Sequence, residues 1–410
     1  MSVRGFRGRT TPGGVRRNAT LDVVVAIGYG LTAAVVSGLL PTIARQQGLV
    51  PIGIALLAAS PFLGNLLSGF AGRVGPHGVR GFGATRIAAA LLLIVVAVAP
   101  HPALIVAAVA GFWLCISFGV PFQTRLWGSM YPAEVRGRVI GTIGMARAAA
   151  AGVAALAVGF AADRLGVPLA VTCAGLVGAA LAIAAFALRS ARPIDARHYS
   201  PREAVAALSS RPRLRSLMMA QAFYGGGLIA AAPLYALVHV DRLHLSLAAV
   251  GTIAVLTAIA TTASYPAWGA VVDRAGPSMA LRVAAAFGVV GLGLYAIAPD
   301  VLVLWPAAIV GGIASAGIDL GIQGAVAHET PLADRAAAMA GWNTLTGARG
   351  ILVPIIASIA VQAGLLSLTG ALVMCLVASL IGLALYAELR IPAQLAGRAT
   401  SLRRASLARG

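Results

Sequence analysis

Gly269-Ala-Val-Val-Asp273-Arg274-Ala-Gly276-Pro277 closes one long apolar run and opens another. The same pattern stands earlier in the chain as Ser68-Gly-Phe-Ala-Gly72-Arg73-Val-Gly75-Pro76, again between two apolar runs. A third, partial copy, Gly159-Phe-Ala-Ala-Asp163-Arg164-Leu-Gly166, ends a different run. A small residue four before an acid, followed by Arg-x-Gly, suits a helix end that packs closely and then turns sharply. Glycine tolerates the turn, and the Asp can sit against the N-terminus of a neighbouring helix. The chain reads as two related halves built around this turn.

Composition sets the class. Of 410 residues, 59% are hydrophobic and only 10% charged, with a mean hydropathy of +0.90. A soluble domain carries roughly 25% charged residues, so this is a polytopic helical membrane protein whose first partner is the lipid bilayer. In a soluble protein the net charge of +19 would point to nucleic acid. Here all 31 basic residues are arginines, most of them in short loops and tails, where positive charge sets orientation rather than binding nucleic acid. Cys115, Cys173 and Cys375 lie in apolar runs without disulfide or metal spacing. No metal and no cofactor are expected. The chain has no lysine for a nucleotide-binding glycine-rich loop, which argues against ATP-driven work. Neither a nucleophile elbow nor a His-Glu-x-x-His pattern is present, so the chain is not read as an enzyme.

A spanning helix needs about 20 apolar residues, and the uncharged runs supply twelve. In the first half they cover about 21–44, 50–71, two helices between Arg86 and Arg125 split at Pro100-His101-Pro102, one from Arg138 to about Ala162, and 167–188. In the second half they cover about 216–238, 246–272, 279–298, 301–326, 337–362 and 365–387. The organisation predicted is an N-terminal tail 1–20, a six-helix bundle 21–188, a linker 189–215 with one short helix from Pro201 to Leu208, a second bundle 216–388, and a tail 389–410. With both ends in the cytoplasm of a cell with an inner membrane, only Arg45, Arg164 and Arg242 fall in external loops. Only Arg147 and Arg349 fall inside predicted helices. That asymmetry fixes the expected orientation, with both termini cytoplasmic.

The Arg-x-Gly turn, its position between apolar runs and its recurrence in both halves resemble the loop signature of the major facilitator superfamily. That signature lies between the second and third helices and again between the eighth and ninth. The resemblance implies an all-α fold of twelve transmembrane helices in two pseudo-symmetric six-helix bundles, working as a transporter that alternates access to a central site. The second copy, with Gly269, Asp273, Arg274 and Gly276, is the better match; the first keeps Arg73 and Gly75 but has Gly72 at the acidic position. A second repeated pair, Tyr131-Pro-Ala-Glu134-Val-Arg136-Gly-Arg138 and Thr330-Pro-Leu-Ala-Asp334-Arg335, precedes the fifth and eleventh helices. By the resemblance, Asp273 engages the start of the fifth helix near Arg136 or Arg138 and helps to hold an inner gate shut.

Charges inside a bilayer are costly and usually functional. Asp319 is the carboxylate well inside a predicted span, either a proton carrier or one half of a fixed ion pair with Arg349. Asp22 opens the first predicted helix, as a cap or as a second proton-coupling group. Arg147 and Arg349, on topologically equivalent helices, bind or gate an anion, or else snorkel. Gln123, Gln323, Tyr29, Asn65, Tyr224 and Asn343 complete the candidate cavity, with interhelical polar packing as the alternative. The expected activity is proton-coupled efflux of a small hydrophobic or amphipathic molecule. The alternative is uptake or facilitated diffusion of a polar or anionic metabolite through Arg147, Arg349, Gln123 and Gln323. A non-transporting membrane sensor is the minor third reading, against which the short loops argue.

Overall fold

Hydrocarbon offers no partner to a backbone N–H or C=O, so an apolar chain in a bilayer must satisfy those groups within itself. The computed structural model, which describes residues 13–67, 78–98, 101–189, 201–331 and 334–389, accordingly shows helices and no strand among those residues. The first half holds α1 (Gly13–Ala34), α2 (Leu40–Gln46), α3 (Pro51–Leu67), α4 (Gly78–Val98), α5 (Pro102–Met130), α6 (Ala133–Leu165) and α7 (Val167–Ala182). A short α8 (Pro201–Ser209) follows. The second half holds α9 (Pro212–Leu237), α10 (Leu247–Ala275), α11 (Pro277–Ile297), α12 (Val301–Glu329), α13 (Arg335–Gln362) and α14 (Leu368–Glu388). Among the described residues eleven helical stretches are long and apolar enough to cross a membrane, and the shorter apolar α3 makes a twelfth span. α1 and α2 count as one, joined by a π-helical turn at Val35–Leu39 just before Pro41, whose ring nitrogen has no hydrogen to give.

The chain passes from α6 to α7 through Gly166 (φ 90°) and from α10 to α11 through Gly276 (φ 88°). These are two of the Arg-x-Gly turns read from the sequence, and positive φ is what their glycines supply. Elsewhere side chains close the helix starts. Ser246 accepts from Ala249 N (3.2 Å), Asp300 from Leu302 N (2.9 Å) and Ser367 from Gly370 N (3.0 Å).

Two helix starts differ from expectation. α1 begins at Gly13, not near 21, because Asn18 exchanges two hydrogen bonds with the backbone of Arg189 (2.8 and 3.2 Å) and anchors the first turns against the end of the first half. Asp22 is therefore a mid-helix residue, 1% exposed, and caps nothing. α4 begins at Gly78, which carries Arg86 inside the span rather than at its border.

Within the first half α4 packs against α5 and α7, and α1 against α6 and α7; within the second, α11 and α10 pack on α12, and α9 on α14. Across the halves α6 lies along α10 and α3 along α13. The triple glycine 225–227 does not break α9, which is continuous. Its role at Gly227 is contact: an added Cβ would collide with the carbonyl of Cys375 and the hydroxyl of Ser379 on α14. Gly382 of α14 answers this against the backbone of Tyr224, where no side chain fits. Small residues that let backbones touch are the usual means of holding helices together in lipid. Gly382→Val is expected to cost about 1–3 kcal/mol of overpacking, read as a thermal unfolding midpoint several degrees lower in detergent; an unchanged midpoint would contradict this contact.

Candidate functional site

Successive turns of α1 present Asp22, Val25, Ala26 and Tyr29 towards α4, α5 and α6. With Arg86 of α4, Gln123 and Trp127 of α5 (one turn apart), and Ile143 and Arg147 of α6 (also one turn apart), the last three of these α1 residues line a cavity of about 310 Å³, open mouth included. Arg86 is 5% exposed. Its Nη2 donates to Gln123 Oε1 (2.9 Å), and its guanidinium lies 4.3 Å from the centre of the Tyr29 ring and 5.2 Å from that of Phe82. Nε and Nη1 of Arg86 are buried and have no partner among the described residues. Arg147 approaches the same Tyr29 ring, 5.7 Å from its centre, and its exposed side chain makes no hydrogen bond or ion pair among the described residues.

Asp22 sits behind this wall. One of its oxygens accepts from Trp127 Nε1 (2.5 Å) and from the Tyr131 hydroxyl (3.2 Å), while the other is buried without a partner among the described residues. It lies within electrostatic range of Arg86 but does not form an ion pair with it. The sequence reading singled out Asp22, Tyr29, Gln123 and Arg147, and the structure brings these together. It missed Arg86, Trp127 and Tyr131. The signal for Arg86 was present: an arginine followed directly by a long apolar run is inside the span if the helix starts eight residues earlier.

The second half supplies a different arrangement. Asp319, on an exposed position of α12, accepts from the Tyr265 hydroxyl of α10 (2.9 Å) and from Gln323 one turn on (2.9 Å). Tyr265 lies within electrostatic reach of Arg147 across the α6–α10 contact. Asp319 is not ion-paired with Arg349. Arg349 instead donates to the backbone carbonyl of Gln221, and its Nε is unpartnered among the described residues. The Gln221 side chain accepts in turn from the Tyr386 hydroxyl. Asp22 and Gln221 are each the tenth residue of their helix, α1 and α9, so the carboxylate of one half is an amide in the other. Tyr224 is 1% exposed and packs edge-on against Tyr386 (5.7 Å between centres), inside the second half rather than on the cavity. Asn65 is half-buried and Asn343 exposed.

The expected gate is not engaged in this conformation. Arg136 donates to Tyr131 O (3.1 Å) and Gly128 O (3.2 Å), and Arg335 to Thr330 O (3.3 Å) and Ala327 O (2.6 Å). The two arginines thus close the ends of α5 and α12 in the same way, a second copy of one device. Asp334 pairs with Arg211 at 3.6 Å. Arg138 and Arg274 are exposed, and Asp273 is exposed without a hydrogen bond or ion pair among the described residues. Arg73 and Gly75, and the side chain of Glu134, lie outside the described residues.

The halves are tied at the other end, away from the linker. Arg45 meets Asp241 through Nε (3.0 Å) and Nη2 (2.9 Å), and Thr42 shares a hydrogen bond with His239 (3.2 Å). Gln362 accepts from Ile52 N (3.1 Å), and Asp163 accepts from Leu247 N (3.1 Å) and Ala248 N (2.8 Å). The molecule is closed on that face, while α6 and α10 part towards the linker face.

Residues 217–408 match the family model described as the Major Facilitator Superfamily. No curated protein matches the chain by sequence. Among solved structures, a point mutant of the nucleoside transporter NupG superposes with a TM-score of 0.75 at 14% identity, covering 92% of this chain and 100% of that one. A bacterial homologue of the human lysosomal transporter Spinster, inward-facing and occupied, gives 0.67 at 14% identity over 92% and 97%. The human organic anion transporter MFSD10 gives 0.65 at 16% identity over 92% and 100%. At such identities the likeness speaks for the fold. The family match covers 192 of the 410 residues, and the likeness in fold to these transporters extends over more than nine tenths of the chain.

Proposed function

We propose that this protein is a transporter of the Major Facilitator Superfamily and carries a small polar solute with a net negative charge, held between Arg86, Arg147, Gln123 and Tyr29. The observation behind this is Arg86: a buried guanidinium lining a cavity, with two nitrogens unpartnered among the described residues. A buried charge is tolerated when something pairs with it. Arg147 faces the same space without a counter-ion among the described residues. Of the charged side chains described well inside the spans, Arg86, Arg147 and Arg349 stand against Asp22 and Asp319, which leaves one positive charge for a bound anion to balance. Apolar cargo would leave that charge uncompensated, so the lining weighs against efflux of a hydrophobic molecule and towards movement of a polar or anionic one. Solved transporters of the same fold carry, by their names, nucleosides and organic anions.

Asp319 is the proton carrier in this reading. It is exposed on α12 and hydrogen-bonded to two neutral donors, so a proton can reach it and leave. Asp22 is sealed behind Trp127 and Tyr131 and serves as a fixed counter-charge to Arg86. With the arginine-rich linker and tails on the cytoplasmic side of a cell's inner membrane, the present conformation is the inward-open one.

Thermal stabilisation of purified protein by a panel of organic anions, sugars and lipophilic cations tests the substrate class. Anions are expected to stabilise, and Arg86→Ala to weaken their binding about 10- to 100-fold, the loss of hydrogen bonds to a charged group. Stabilisation by lipophilic cations alone, or anion binding indifferent to Arg86→Ala, would overturn it. For the coupling, Asp319→Asn in proteoliposomes is expected to abolish accumulation driven by a proton gradient and to spare exchange of labelled solute. Gradient-driven accumulation that survives the substitution would remove Asp319 from this role.

A further inference from the structure

The cavity lining is ordered along three of its helices. α1 continues into α2, whose Arg45 is tied on the closed face, and α6 ends there at Asp163, so both run away from the linker face. α5 leads directly into the start of α6 and runs towards that face. On each of the three, lining residues stand one turn apart: Val25 and Tyr29 on α1, Gln123 and Trp127 on α5, Ile143 and Arg147 on α6. In every case the residue nearer the linker face is the apolar one. Tyr29, Gln123 and Arg147 thus form, with Arg86, a polar floor. Val25, Ala26, Trp127 and Ile143 form an apolar collar. The two levels are separated by the rise of one helical turn, about 5.4 Å.

Trp127 gives the collar its chemistry. Its Nε1 is already spent on Asp22 (2.5 Å), so the indole has no polar hydrogen left for a solute. It is half-buried and lines the cavity, and what it offers there is ring surface. Asp22 also accepts from Tyr131 (3.2 Å), so the ring is held by a carboxylate that is itself held. The face of an aromatic ring carries negative charge density, which repels a carboxylate and favours a second ring, offset or edge-on. An anionic group accordingly belongs on the floor, where Nε and Nη1 of Arg86 have no partner among the described residues. The rest of the collar is buried aliphatic side chain. A solute polar throughout would bring groups that need hydrogen bonds against a wall that provides none.

We infer that the solute is an aromatic organic anion, with its ring against Trp127 and its charged group one helical turn deeper, at Arg86 and Arg147. This rests on the anion-binding reading above and adds the chemical class of the rest of the molecule. Charge is read at the floor and shape at the collar. Trp127 is the residue that separates aromatic from aliphatic anions of the same length. In the present conformation the ring of the bound solute points towards the linker face.

Titration of the purified full-length protein with phenylpropanoate, cyclohexylpropanoate and propanoate tests this, because the three share a carboxylate and differ in what reaches the collar. Phenylpropanoate is expected to bind about 10- to 100-fold tighter than propanoate, the equilibrium worth of burying a ring. It is expected to bind about threefold tighter than cyclohexylpropanoate, the worth of an aromatic pair. Trp127→Leu is expected to abolish the preference for phenyl over cyclohexyl. Trp127→Phe, which keeps a ring but loses the bond to Asp22, is expected to retain it. If the two substitutions act alike, Trp127 serves only to hold Asp22 and the inference fails. It fails equally, with no variant needed, if the unsubstituted protein binds none of the three acids, binds all three alike, or does not distinguish phenyl from cyclohexyl. Each of these results leaves the anion-binding reading standing, whereas a protein that binds no organic anion at all loses both.

Discussion

The absence of hydrogen-bonding solvent in hydrocarbon governs this molecule at every level. It forces the backbone into helices and removes the hydrophobic drive that would otherwise hold those helices to one another. Close backbone contact takes over, and glycines at 227 and 382 mark where α9 and α14 touch. The same constraint gives each buried polar atom its weight. A guanidinium that would pass unremarked on a soluble surface becomes, at Arg86, a group with two nitrogens that have no partner among the described residues and demand an explanation.

The halves share a plan and differ in chemistry. Their symmetry is visible in the Arg-x-Gly turns at Gly166 and Gly276 and in the matched carbonyl contacts of Arg136 and Arg335. These devices serve helix ends, where both halves face the same mechanical task. Inside the spans the symmetry lapses. Asp22 corresponds to Gln221, and the first half gathers Arg86 and Arg147 around Tyr29. The second half has Asp319 held by Tyr265 and Gln323. Frame and contents are thereby separated: the helix ends repeat between the halves, while the polar lining does not.

The α6–α10 contact joins these two aspects. It is tight where Gly159 and Gly251 lie against the other half, and loose around Gly137 and Gly269. Arg147 and Tyr265 lie on the loosened stretch, within electrostatic reach of each other. A residue of the cavity and a residue bonded to Asp319 are thus carried on two helices that join the halves.

Much was legible in the residues alone. Apolar runs of spanning length, the arginine distribution and the repeated Gly-x-x-x-Asp-Arg-x-Gly turn determine a helical membrane protein of two related halves, because length, charge and glycine placement are local properties of the chain. The turn even disclosed that its Asp can cap a neighbouring helix, which Asp163 does. What only the tertiary structure decided is who meets whom. Asp22 read as a cap because the apolar run starts beside it, yet Asn18 and Arg189 extend that helix and bury it. Asp319 and Arg349 read as candidate partners, yet α9 draws Arg349 to Gln221 while α10 brings Tyr265 to Asp319. Arg86 read as a border and lines the cavity. Such pairings join helices far apart in sequence, and the crossing of packed helices, unlike their existence, is set by contacts that no local pattern encodes.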